Sequence, residues 1–120
     1  MNMCEAATAV SYGLPIITVI MDNSVLGMVR QLQWAYHKER YMATEPYRKT
    51  DYEMVGKGFG VQTYRAATED AFRDALSEAL KNTGPSWIIC PIDKREKVLP
   101  MMPAGKGVED IILTQEEGGL

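Results

Sequence analysis

Two adjacent side chains, Asp22 and Asn23, stand where the apolar run Pro15–Met21 gives out, and a Gly27-Met28 pair follows shortly after. A carboxylate and a carboxamide at the end of a strand are hard oxygen donors. Beside the free N–H groups of a following helix they suit a Mg²⁺–diphosphate pair, because Mg²⁺ takes octahedral oxygen from one or two protein groups, phosphate and water. Gly27 would let the backbone come close to a bound group. The same dipeptide also reads as an ordinary turn with a helix N-cap at Asn23 or Ser24, and on spacing alone that is the commoner use. Both readings stay open at this level.

The other reactive side chains form no constellation. His37 is the single histidine and lies in the charged stretch His37-Lys38-Glu39-Arg40, which reads as a solvated loop. No Ser/His/Asp or Cys/His grouping is evident. Cys4 and Cys90 are far apart in sequence, form no CxxC, and read as free thiols. Trp34, Tyr36 and Tyr41 flank the histidine and read as a subunit contact, whereas Trp87 sits in an apolar strand and reads as core. Lys81, Lys94, Arg95 and Lys97 read as solvated surface charge.

The elements that must position Asp22 and Asn23 follow from periodicity. Residues 2–12 predict a helix stopped by Gly13 and Pro15. Pro15–Met21 is β-branched without alternation, so both faces of this strand are expected to be covered, as in a parallel sheet. A helix is expected from Asn23 or Ser24 to about Tyr36, then a polar loop through Thr50. A short helix at 51–59 ends at Gly60, and residues 61–65 make a short strand. Thr68 caps the clearest helix, whose expected buried stripe is Phe72, Leu76, Ala79 and Leu80. Ser86–Ile92 is a further apolar strand, with Pro91 confining its end to an edge or bulge. The alternation predicts an α/β fold with a parallel sheet and right-handed crossovers. Strand ends followed by helix starts are where such sheets bind ligands.

Bulk properties exclude several classes. A chain of 120 residues with 46% hydrophobic and 24% charged residues is expected to form one globular domain. A net charge of −3 offers no electrostatic footing for nucleic acid. No apolar stretch reaches the roughly 20 residues of a membrane span. MNMCEAATAV has no basic n-region of a secretory signal, so a cytoplasmic location is expected.

Five segments, in order, resemble the C-terminal thiamine-diphosphate-binding domain of acetolactate (acetohydroxyacid) synthase large subunits. MNMCEAATA is similar to the family's MNxQELATA, and MDNSVLGMVRQLQ to its Asn-Asn-x-x-x-Gly-Met-Val stretch. RYMAT resembles RYSHT, TDYEMVGKGFG resembles PDFxxLAxAxG, and LPMMPAGKGVEDII resembles YPMVPPGxxxxEMI. The resemblance implies a parallel sheet flanked by helices on both faces, a Rossmann-like thiamine-diphosphate-binding fold lacking its first strand. Residues 1–93 would form its truncated core and 94–120 a tail wrapping it.

The resemblance also implies residue roles. The side-chain oxygen of Asn23 and the backbone carbonyl of Val25 would be Mg²⁺ ligands. Met1, Asn2, Gly27 and Met28 would lie at the thiamine diphosphate, and Met28 and Leu32 would line the substrate pocket. Asp22 replaces the first Asn of the family's pair. Leu32 stands where the family usually has Trp, which implies a weaker preference for 2-ketobutyrate as second substrate. The metal-binding Asp of a Gly-Asp-Gly element would lie before Met1, so the chain is expected to be a fragment with little cofactor affinity of its own. The implied reaction decarboxylates pyruvate and joins the two-carbon unit to a second 2-keto acid, in branched-chain amino acid biosynthesis. The carboxylate that activates the cofactor would lie in another domain, so no catalytic residue is assigned here. Glu5, Glu39 and Glu53 read as surface carboxylates. Implied partners are the remaining domains of the parent enzyme, a second copy in a homo-oligomer and a regulatory small subunit, and FAD could accompany the full-length parent. The alternatives are another thiamine-diphosphate-dependent decarboxylase or carboligase, or a fragment without activity.

Overall fold

The computed structural model describes residues 2–47 and 49–114. Met1 and the end of the 94–120 tail, residues 115–120, lie outside the described residues. The elements run α1 (Glu5–Ser11), β1 (Ile17–Asp22), α2 (Gly27–Tyr36), α3 (Tyr52–Phe59), β2 (Gln62–Arg65), α4 (Glu69–Ala79) and β3 (Ser86–Pro91), with a 3₁₀ turn at Val108–Asp110. They divide into two compact units. The first holds the residues up to Asp22 together with Lys49–Ile92, and the second holds Asn23 and the loop region after it together with the segment from Asp93 on.

The first unit is a three-stranded parallel sheet in the order β1-β3-β2. Alternate side chains of β3 feed opposite cores. Ile88 and Cys90 pack with Ala75, Ala79, Phe72 and Leu76 of α4. Trp87 and Ile89 pack with Ala6 and Val10 of α1 and with Tyr52, Val55 and Phe59 of α3. Helices thus cover both faces, as the alternation predicts. The helix ends are chemically marked. Asp51 Oδ1 accepts from Met54 N (3.0 Å), Gly60 closes α3 with φ 85°, and Thr68 Oγ1 accepts from Ala71 N (3.2 Å) at the head of α4. Gly56 lies so close to β2 and β3 that a Cβ there would be 2.6 Å from Thr63 Cγ2 and 2.9 Å from Trp87 Cε3.

Three expectations are corrected here. β1 is an edge strand, and Val19 (41%) and Met21 (59%) are exposed, because α3 and α4 pack over β2 and β3 rather than over β1. Leu80 is exposed, at the C-cap of α4, and Ala75 joins the buried stripe: at about 100° per residue Phe72, Ala75 and Ala79 share one face, and Leu80 is rotated away from it. Pro91 ends a central strand rather than an edge one. Ser86 N and Ile92 N both donate towards β1, so the odd-numbered positions between them face β2. β2 pairs no further than Arg65 with Ile89, and the missing N–H of Pro91 falls beyond it.

The second unit is built on α2. Trp34, Ala35 and Ile112 form its core, with Tyr36, Tyr41, Leu99 and Met101 packed against them. Trp34 is buried within this unit rather than presented for a subunit contact. Met101 and Ile112 are joined by a two-way antiparallel bridge (2.9 Å each way), and Ala104 N donates to Tyr36 Oη (2.9 Å).

Candidate functional site

The corner after β1 is shaped by three residues. Asn23 is half-buried, and its Oδ1 accepts from Val25 N at 3.2 Å. Ser24 sits at φ 56°, the left-handed conformation that folds the Val25 N–H back towards that oxygen. Leu26 N then donates to the carbonyl of Thr44 (2.8 Å), and α2 starts at Gly27 without a side-chain cap. The expected N-cap at Asn23 or Ser24 is therefore corrected. The asparagine oxygen satisfies the nearest N–H, two residues on, and the helix begins beyond its reach.

Gly27 matters here for space. A Cβ at this position would lie 2.6 Å from Asn23 Nδ2, so the carboxamide rests where any larger residue would displace it. With its nitrogen against the helix start and one lone pair given to Val25 N–H, Oδ1 retains a second lone pair for a ligand. Among the described residues no group of three or more His, Cys, Asp or Glu side chains could hold a metal. The donors at this corner are neutral hard oxygens. They fit a small hard cation whose charge is met mainly by phosphate.

Of the residues singled out by sequence, Asn23, Val25 and Gly27 are thus brought into one corner. Met28 (55% exposed) and Leu32 (46%) lie on one open arc of α2, together with Val29. Leu32 is not helix core. Asn2, exposed and at φ 59°, belongs to the other unit. Met1 lies outside the described residues. His37 is exposed in the loop, as read.

A group of charged residues in the second unit was not foreseen. Gly27, Arg30, Gln31, Trp34, Tyr41 and the 94–97 segment line a small cavity. Arg30 lies over the Tyr41 ring (3.7 Å) and Lys97 over the Trp34 ring (4.7 Å). Glu45 joins Arg30 (3.1 Å) to Lys94 (2.9 Å), and the hydrogen bond from Lys94 does most to hold its carboxyl below the usual range. Arg95 grips Asp93 through Nε (3.0 Å) and Nη2 (2.8 Å), holding that carboxyl well below the ordinary value. Sequence alone has no signal for the contacts of Arg30 with Tyr41 and Glu45, of Lys94 with Glu45 and of Lys97 with Trp34, whose partners come from separate segments, whereas Asp93 and Arg95 are near neighbours in the chain.

The family of thiamine pyrophosphate enzymes, C-terminal TPP binding domain, matches residues 1–90. The chain belongs to this family. Thiamine pyrophosphate is the thiamine diphosphate of the sequence resemblance. Among relatives, the domain is 33% identical over 112 residues to the acetolactate synthase isozyme 2 large subunit of Escherichia coli (strain K12), covering 93% of this chain and 20% of the relative. It is 34% identical over 107 residues to the acetolactate synthase large subunit of Parasynechococcus marenigrum (strain WH8102), covering 88% of this chain and 17% of that one. The chain thus spans about a fifth of the length of such relatives. The crystal structure of benzoylformate decarboxylase from Polynucleobacter necessarius superposes with a TM-score of 0.69 at 26% identity, over 78% of this chain and 18% of that one. The parallel sheet with helices on both faces is the thiamine pyrophosphate-binding α/β fold. No described helix of this domain is long and apolar enough to cross a membrane.

Proposed function

We propose that this domain anchors the diphosphate of thiamine diphosphate, through Mg²⁺, in an acetolactate synthase that decarboxylates pyruvate and joins the two-carbon unit to a second 2-keto acid. The observation that carries this reading is the Asn23 carboxamide, seated on Gly27 with an oxygen lone pair to spare. The acetolactate synthases among its relatives support the choice of reaction. Asn23 Oδ1 and the Val25 carbonyl would hold the ion, and Gly27 gives the carboxamide its room. Bound thiamine diphosphate supplies the carbon chemistry. Met28 and Leu32 offer an apolar wall that excludes water, and Asn2 would lie on the cofactor side. No residue of this chain is assigned proton transfer. That work would fall to the rest of the enzyme, which together with a second copy of this chain is the proposed partner.

An NMR titration of the chain with thiamine diphosphate tests this. The expected result is a Mg²⁺-dependent shift of the Asn23, Val25 and Gly27 amide signals that Asn23→Ala abolishes. At the millimolar cofactor that a fragment of little affinity calls for, shifts confined to other residues, or shifts at this corner that Asn23→Ala leaves unchanged, would overturn it. For assembly, β1 presents an outer edge that is uncharged up to Asp22, of the kind that pairs with another chain. Light scattering is expected to find a dimer or larger, and a clean monomer refutes that.

A second reading, a decarboxylase of another 2-keto acid, draws on the benzoylformate decarboxylase likeness and on Leu32. Product analysis of the complete enzyme with pyruvate separates the two, because only the synthase yields 2-acetolactate. Replacing Leu32 by Trp there is expected to raise the share of product made from 2-ketobutyrate.

A further inference from the structure

Helix α2 carries two glutamines, and each docks on both polar atoms of one backbone residue outside the helix. Gln31 Oε1 accepts from Val98 N (2.8 Å), and its Nε2 donates to the Val98 carbonyl (2.9 Å). Gln33 Oε1 accepts from Met42 N (2.7 Å), and its Nε2 donates to the Met42 carbonyl (3.0 Å). A primary amide used this way imitates the peptide group of a neighbouring strand. It has the one acceptor and the donors that such a pairing needs, and neither a carboxylate nor an alkyl chain does.

Their placement on the helix is informative. At about 100° per residue, Gln31 and Gln33 fall on either side of the arc that holds Met28, Val29 and Leu32. These three are the exposed apolar residues of α2. Arg30 projects roughly opposite that arc, and there Glu45 ties it to Lys94. The loop segment around Met42 and the segment around Val98 are therefore joined behind the helix and pinned separately at its two flanks.

We infer that Gln31 and Gln33 are positioning residues. They fix the two flanking segments at the borders of the Met28–Val29–Leu32 arc and so set the width of apolar surface that α2 offers to a substrate. The role of the arc rests on the proposed function, whereas the two clamps do not.

Amide hydrogen exchange followed by NMR on the cofactor-free chain tests the clamps. Gln33→Leu is expected to lower protection of the Met42 amide about fivefold to tenfold while leaving Val98 unchanged, and Gln31→Leu to do the reverse. Ile88 and Ile89 of β3 report whether the fold survives. Should burial make Gln31→Leu unfold, Gln31→Glu keeps the size and the acceptor but loses the donor. Its protection factor at Val98, with the intrinsic pH dependence divided out, is expected to be low at neutral pH. It should recover as the introduced carboxyl gains a proton and can donate again, while the unaltered chain stays flat. Unchanged protection at both sites in folded Leu variants, or a Gln31→Glu profile as flat as that of the unaltered chain, would overturn the inference. Failure of the cofactor titration above would remove the proposed function and leave the clamps standing, and failure here would do the opposite.

Discussion

β1 and β3 are strands of equal length, parallel and in register from Ile17 with Ser86 to Asp22 with Pro91. Both are rich in isoleucine and uncharged up to Asp22, the last residue of β1. Yet the first five residues of β3 are buried, with Ile88 at 0% exposure, whereas Val19 and Met21 of β1 stand open. An uninterrupted apolar run says that a strand is fit to be covered on both faces. Whether it is covered depends on what packs over those faces. α3 and α4 lie over β2 and the central β3, and the edge strand β1 is left more open.

The largest expected effect comes from truncating the two strands in parallel. Ile88→Ala should lose about 2–5 kcal/mol of stability in urea denaturation, the cost of a cavity at a site with no solvent access. Val19→Ala should cost under about 1 kcal/mol, since the removed methyls already meet water. Equal losses would break the comparison. Gly56→Ala comes next. Its Cβ would press on Thr63 and Trp87, and about 1–3 kcal/mol should be lost, with near-ultraviolet circular dichroism reporting the displaced indole.

Thr63→Val sharpens the comparison from the other direction. Among the described residues Thr63 Oγ1 is buried without a hydrogen-bond partner, so exchanging the hydroxyl for a methyl should raise stability by about 1 kcal/mol. A loss of similar size would show that the hydroxyl has a partner. The smallest effect is at the end of β3. Burial pushes the Cys90 thiol above its ordinary value. The unfolded chain releases this proton first as pH rises, so Cys90 contributes a loss of stability only above the ordinary thiol range. Cys90→Ala should flatten that alkaline limb of the pH–stability curve. At neutral pH exposed Cys4 should react with an alkylating reagent well before Cys90.

Much of the fold was legible because its signals are local. The cap at Thr68, the stop at Gly60 and the β-branched runs each act within a few residues, and α3, α4 and the three strands stand close to where those signals put them. The start of α2 was misplaced although its residues are cap formers. Asn23 had two N–H groups to choose from, and the left-handed turn at Ser24 brought the nearer one to it. The candidate corner was legible as a dipeptide, but the seating of its carboxamide on Gly27 was not. Leu80 was misread because each four-residue step turns about 40° further round the helix, and the covered face is centred on Ala75 and Ala79.

By itself the sequence determined the chain's family and which stretches form strands and helices. These follow from residue order and from interactions spanning a turn or two. Only the tertiary structure decided that β3 is central, that β1 is an edge, and that Gln31 reaches Val98 across 67 positions. Such pairings depend on which distant segments share a surface, and neither propensity nor spacing carries that information.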